Sequence, residues 1–196
     1  MLIVVTNRNL CRDDFLERIQ LLAKGNPHGI MLREKDLSIS EFEALTSKVK
    51  TICEENKVPL IINQNIFIAE KLGLPNIHLS INDLRQNNNK LRLFSNIGAS
   101  VHSIDEAKEA EKLGASYLVA GHIFSTNSKK GVPPRGLEFL NKVCNSVKIP
   151  VFAIGGISED KMQPISTTGA KGVCIMSEAM LCEDPIGITD RFNIFG

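Results

Sequence analysis

The chain predicts a (β/α)8 barrel formed as one domain over residues 1–196. Three observations carry that reading. Eight short β-rich runs alternate with stretches of helical apolar spacing, the pattern of parallel strands joined by crossover helices. Eight is also the number that closes such a sheet into a barrel. Polar clusters recur just after the runs: Arg33-Glu34-Lys35, Asn63-Gln64-Asn65, Asp83, Ser100, His122, Gly155-Gly156 and Ser177. A barrel carries its functional residues at those strand ends, whereas an open doubly wound sheet would not so readily gather every end in one mouth.

Leu2–Val5 is the first run, and Phe15, Ile19 and Leu22 then fall at helical spacing until Gly25-Asn26-Pro27 stops the helix. Gly29–Leu32 is the second. Ser38-Ile39-Ser40-Glu41 reads as a capping box ahead of an apolar face of Phe42, Leu45, Val49 and Ile52. Val58–Ile62 is the third run, with a short helix from Ile66 to Leu72, and Asn76–Leu79 the fourth. Gln86–Lys90 reads as a loop or weak helix. Leu93–Ala99 is the fifth run, and Ser103-Ile104-Asp105-Glu106 a second capping box, with Gly114 ending the helix. Tyr117–Ala120 is the sixth and leads into a long loop. A helix over Leu137–Val147, the seventh run Ile149–Ile154, a helix capped by Ser158 and the eighth run Gly172–Met176 follow, with a brief last helix.

The net charge of +1 gives no field for nucleic acid or a membrane surface, and no apolar run is long enough to span a bilayer. Residues Met1 to Arg8 lack the basic start of a signal peptide. Five cysteines, none in a C-x-x-C pair, argue against a disulfide framework or structural zinc and for a reducing, cytoplasmic setting.

The chemistry concentrates in Gly121–Gly136, a stretch without helical or strand period that holds His122, Ser125, Thr126, Lys129, Lys130 and Arg135. Histidine suits proton transfer near neutral pH. A structural imidazole bonded to nearby backbone is the bland alternative, and it is preferred for His28, His78 and His102. Pro133-Pro134 stiffens one end of the loop and Gly131 offers a hinge, so Ser125–Pro134 is a candidate lid. Gly155-Gly156 and Met176-Ser177, after the seventh and eighth runs, are placed for phosphate binding. Arg33 and Lys35 alternate, so both can face the mouth with Glu34 turned away. Asp83 alone makes a poor Mg²⁺ site.

Taken together, Leu32-Arg33-Glu34-Lys35, Ile62-Asn63, Ile77-His78-Leu79 with Asp83, Gly98 to Ser103, Gly121-His122-Ile123-Phe124-Ser125-Thr126 with Lys129-Lys130-Gly131, Ala153 to Ile157, and Met176-Ser177 resemble the thiamine-phosphate synthase/TenI superfamily over nearly the whole chain. The resemblance implies a (β/α)8 barrel, thiazole-phosphate chemistry and a homodimer. Three positions depart from the synthase pattern: Met31 stands where it has glutamine, Gln64 where it has a metal-binding aspartate, and His122 where it has proline. These departures are similar to the TenI branch, whose members are thiazole tautomerases. The expectation is therefore a metal-free tautomerase without cofactor. His122 would move the proton, with Gly155, Gly156, Met176, Ser177 and Thr126 on the phosphate and Arg33, Lys35, Asn63, Ser100 and Lys129 on the rest of the thiazole phosphate. The alternatives are a synthase that couples a pyrimidine diphosphate to thiazole phosphate, with Asp83 on Mg²⁺, and a non-catalytic phosphate-binding barrel.

Overall fold

Each β-rich run is buried on both faces, as parallel strands covered by helices require. The computed structural model describes residues 1–193. Its strands are β1 (Leu2–Val5), β2 (Gly29–Leu32), β3 (Leu60–Asn63), β4 (Asn76–Ser80), β5 (Asn96–Val101), β6 (Tyr117–Gly121), β7 (Val151–Ile154) and β8 (Gly172–Ile175). All neighbouring pairs are parallel and the order is sequential, with β8 returning to β1, so the sheet is a closed barrel. The expected fold class is therefore the one observed.

The helices are α1 (Phe15–Lys24), α2 (Ile39–Glu55), α3 (Ile66–Lys71), α4 (Ile81–Gln86), α5 (Ile104–Lys112), α6 (Gly136–Ser146), α7 (Met162–Ser166), α8 (Ser177–Leu181) and α9 (Ile188–Arg191). Outward-facing strand residues such as Val4, Leu32, Ile62 and Ala99 pack under them with Ile19, Leu22, Val49 and Leu140. A separate apolar set, Ile3, Val5, Met31, Ile61, Val119, Phe152 and Cys174, fills the barrel interior. No helix among the described residues is long and apolar enough to cross a membrane.

Most differences from the expected elements have local causes. Ser38 and Glu41 form the full reciprocal box at α2. At α5 only half of it forms: Ser103 accepts from the Glu106 N–H, while the Glu106 carboxylate takes the His102 N–H instead. Ser158 does not cap; its hydroxyl donates to Asp160 at 2.6 Å. Helix α4 is missing from the sequence reading. Its signal is the Ser80–Asp83 pair, which forms a capping box at the end of β4.

Candidate active site at the barrel mouth

Two adjoining hollows open at the C-terminal ends of the strands. The first, about 400 Å³, lies over β6, β7 and β8 and is lined by Arg33, His102, His122, Thr126, Lys129, Gly155, Gly156, Lys161, Met176 and Ser177. The second, about 530 Å³, lies beside it and is lined by Glu34, Lys35, Asn63, Gln64, Ile39 and Phe67. A third hollow, of about 720 Å³, lies at the opposite, N-terminal end against His28, Tyr117 and Phe152. It is larger, but the candidate residues do not converge there, and barrel active sites sit at the C-terminal face.

Most of the expected site residues thus share one space. Lys35 and Asn63 face the neighbouring hollow. Ser100 lines neither hollow and is turned toward His78. His102 and Lys161 belong to the first hollow and were not anticipated. Lys161 is held by the Gly156 carbonyl at 2.8 Å and lies over the Phe124 ring. The His102 Nδ1 lies 2.7 Å from the Gly121 carbonyl, so it carries the proton there and leaves Nε2 as an acceptor when the ring is neutral.

The β6 loop is anchored at both stems. The N–H groups of Ile123 and Phe124 bond to the carbonyls of Ile154 and Gly155, and those of Arg135 and Gly136 to His122 and Ile123. His122 is buried, and its Nε2 lies 3.2 Å from the Val132 carbonyl. That is the bland arrangement, an imbedded imidazole bracing its own loop. Gly155 and Gly156 have φ of 99° and 63°. A Cβ on Gly155 would fall 2.3 Å from that of His122, and one on Gly156 would fall 2.3 Å from the Ser125 carbonyl oxygen. The pair therefore makes room for the β6 loop as well as lining the hollow.

Arg33, Lys35 and Lys129 form the mouth's electrostatic feature. The Lys35 ammonium is pulled below its ordinary pKa by loss of solvent and by Arg33 and Lys129, against an opposing pull from Asp83. None of the three cations has a carboxylate partner among the ion pairs of the described residues. Such a cluster suits a multiply charged anion. Asp83 is fixed at Oδ2 by the Ser80 hydroxyl at 2.6 Å and the Gln64 amide at 3.0 Å.

The expected turn of Glu34 away from the mouth does not occur, because β2 ends at Leu32 and strand alternation stops there. Glu34 lines the second hollow with Lys35, while its side chain is buried. It accepts from the Thr6 hydroxyl at 2.6 Å and the Arg8 N–H at 3.0 Å, and Thr6 Oγ1 in turn accepts from the Arg33 N–H. This clamp ties the ends of β1 and β2 together beneath Arg33. Glu34→Ala is expected to lower the free energy of unfolding by about 3 kcal/mol, because it strands buried donors. Denaturant titration measures this, and a loss under about 1 kcal/mol would mean water replaces the carboxylate freely.

Comparison with known proteins identifies the family of the chain. The model of the thiamine monophosphate synthase (TMP-TENI) family matches residues 2–179. The chain belongs to that family. It is 38% identical over 179 residues to the thiamine-phosphate synthase of Clostridium acetobutylicum, covering 90% of this chain and 85% of the relative. It is 37% identical over 190 residues to that of Syntrophomonas wolfei, covering 93% and 90%. Among solved structures, a thiamine phosphate pyrophosphorylase from Pyrococcus furiosus superposes with a TM-score of 0.86 at 31% identity, covering 97% of this chain and 92% of that one.

These family relatives overturn the tautomerase expectation, since they are named for the synthase reaction. The departures that supported a tautomerase carry less weight in the fold than in the sequence. Met31 is 3% exposed and packs inside the barrel with Val5 and Ile61, so it is a core residue. Gln64 donates to Asp83, keeping the remaining carboxylate in place. The proton-carrying role given to His122 rested on the tautomerase reading and falls with it, as does the argument for metal-free chemistry.

Proposed function

We propose that this chain is a thiamine-phosphate synthase, joining a hydroxymethylpyrimidine diphosphate to a thiazole phosphate. In that reaction the C–O bond from the pyrimidine methylene to the diphosphate breaks. The thiazole ring nitrogen forms a C–N bond to the same methylene, and diphosphate leaves with the electron pair. No proton has to be carried at the reacting ring nitrogen. The principal task is to hold two anionic substrates in line and stabilise the departing charge.

The observation that carries this reading is the set of three cations at the mouth of a barrel of this family, Arg33 and Lys129 in the first hollow and Lys35 in the second, without carboxylate partners among the described ion pairs. Like charges brought together at a loss of solvation suit a diphosphate better than a lone phosphate. Arg33, Lys35 and Lys129 bind its oxygens in this reading, with Asn63 and Ser100 as neutral donors. Gly155, Gly156, Met176 and Ser177 take the thiazole phosphate on the other side of the mouth, where the first N–H groups of α8 have no partner within that helix. Thr126 accepts from the Ser128 N–H at 3.4 Å and so shapes the loop that carries Lys129. His122 braces the same loop from below.

A divalent cation fits beside Asp83 only in a limited way. No group of three His, Cys, Asp or Glu side chains among the described residues could cage a metal. Mg²⁺ is commonly held by one or two carboxylates with substrate phosphates and water supplying the rest. Asp83 provides one carboxylate, and its bonds to Ser80 and Gln64 all fall on Oδ2, which leaves Oδ1 for such an ion. When bound with diphosphate, the ion would neutralise charge on the leaving group.

The test is direct. Purified protein given both substrates and Mg²⁺ is expected to form thiamine phosphate and release equimolar diphosphate, and a chelator should suppress it. Absence of product under these conditions would defeat the proposal.

A further inference from the structure

Beneath the mouth a line of polar side chains crosses the otherwise apolar barrel interior. His78 on β4, Gly98 on β5 and Tyr117 on β6 are Cα partners across adjacent strands. A Cβ at Gly98 would sit 2.1 Å from the Tyr117 Cζ and 2.4 Å from the His78 Nδ1. The missing side chain is therefore what lets the tyrosine reach across β5. Its hydroxyl lies 3.3 Å from His78 Nδ1, and His78 Nε2 lies 2.8 Å from the Ser100 hydroxyl.

The direction of these bonds follows from counting donors. His78 is 2% exposed, and burial pushes its pKa down to about 3, so the ring is neutral. A neutral imidazole has one donor nitrogen and one acceptor nitrogen. The Tyr117 hydroxyl has His78 as its hydrogen-bond partner, and Phe152 meets its ring edge-on at 5.8 Å. A proton on Nδ1 would leave the tyrosine O–H without an acceptor among the side chains of the barrel interior, to be met only from the N-terminal hollow that Tyr117 lines, whereas Nδ1 as acceptor satisfies it directly. With Tyr117 donating to Nδ1, Nε2–H donates to Ser100 Oγ. The Ser100 hydrogen then has no acceptor within the line. Ser100 is half-buried and pairs across strands with Ser80, the residue whose hydroxyl holds Asp83.

We infer that Tyr117, Gly98 and His78 form a positioning column that fixes Ser100 as a hydrogen-bond donor toward an anionic oxygen of bound diphosphate, an assignment that rests on the synthase reading above. None of the three touches substrate. They act through the serine, by occupying its acceptor side from within the barrel.

Two readouts independent of turnover test this. Long-range ¹⁵N–¹H NMR of ¹⁵N-histidine-labelled protein, with His78 assigned by the signals lost in His78→Gln, should show a neutral ring protonated at Nε2. A proton on Nδ1 overturns the inference. Calorimetric titration with inorganic diphosphate and Mg²⁺ should show affinity about tenfold weaker in both Ser100→Ala and His78→Leu, and no weaker still in the double variant. Losses that multiply in the double variant overturn it, as does a wild type that fails to bind diphosphate. The side-chain amide of His78→Gln can donate to Ser100, so this variant should recover most of the affinity that His78→Leu loses. Equal losses would show that only packing matters and overturn the column. If His78→Leu does not fold, Tyr117→Phe, which removes the hydroxyl that holds Nδ1 as an acceptor, takes its place beside Ser100→Ala in the same comparison. Wild type that binds diphosphate and shows the expected tautomer but makes no thiamine phosphate would defeat the synthase reading alone.

Discussion

Arg33→Ala is expected to lower kcat/KM for the pyrimidine diphosphate by about a hundredfold, with no loss of thermal stability. The guanidinium lines the mouth beside Lys129 and has no carboxylate partner among the described ion pairs. A charge-assisted contact to a departing diphosphate contributes about 3 kcal/mol to the transition state, and each 1.4 kcal/mol is roughly tenfold in rate. The stability side follows from Lys35, whose ammonium is held below its ordinary pKa by loss of solvent, then by Arg33 and Lys129. A lysine with a depressed folded-state pKa binds protons less readily in the folded protein than in the unfolded chain. It therefore costs stability below its folded pKa, and that cost is relieved as pH rises through the folded value toward the unfolded one. Removing Arg33 removes one source of the cost, so the variant should melt at or slightly above the wild-type temperature at neutral pH. Steady-state kinetics and a melting curve on the same preparation decide the matter. Unchanged kcat/KM would show that the diphosphate binds elsewhere.

Gly155→Ala is expected to damage both the fold and the mouth. At φ of 99° an L side chain is strained, at a cost of about 1–3 kcal/mol. The added Cβ would also meet His122 Cβ at 2.3 Å and Cα at 2.8 Å. These are a loop backbone and its buried side chain, not the end of a flexible chain, so relief requires the β6 loop to move. The combined loss should be about 3–5 kcal/mol, or a melting temperature lower by roughly 6–20 °C for a chain of this size. Because that loop carries Thr126 and Lys129, activity should fall further than the unfolded fraction explains. Calorimetry with an activity assay well below the melting temperature separates the two effects. A variant that melts like wild type would show that the turn adjusts without disturbing its neighbour.

The barrel was legible in the sequence because alternation, capping pairs and glycine stops all agreed with one topology. The boundaries that shifted have local reasons. Strands β3 and β7 begin after Pro59 and Pro150, which have no N–H for the ladder but lend their carbonyls to Ile30 and Leu118. Leu93 closes a 3₁₀ turn (Asn88–Leu93) and does not open β5. In the site, the charged and glycine-rich strand ends were visible, since their placement depends only on strand order. Glu34 was harder: nothing in a run of charges shows that one of them is buried under a threonine hydroxyl. The Tyr117–His78–Ser100 line depends on a cross-strand register and an absent Cβ, neither of which one strand contains. The functional expectation went astray by weighing Met31, Gln64 and His122 one at a time. Their meaning depends on where they point: Met31 into the core, Gln64 to Asp83, His122 to the Val132 carbonyl.

The proposed recognition of the two substrates is divided between the halves of the chain. Arg33, Lys35, Asn63, Asp83 and Ser100 come from β2 to β5, and Gly155, Gly156 and Ser177 from the ends of β7 and β8. Lys129, on the β6 loop, is the second half's contribution to the first half's ligand. The halves meet where β5 pairs with β6 and again where Leu2, Ile3 and Val4 pair with Val173, Cys174 and Ile175. Neither half alone brings both anions to one mouth, so completing the ring and completing the site are a single event.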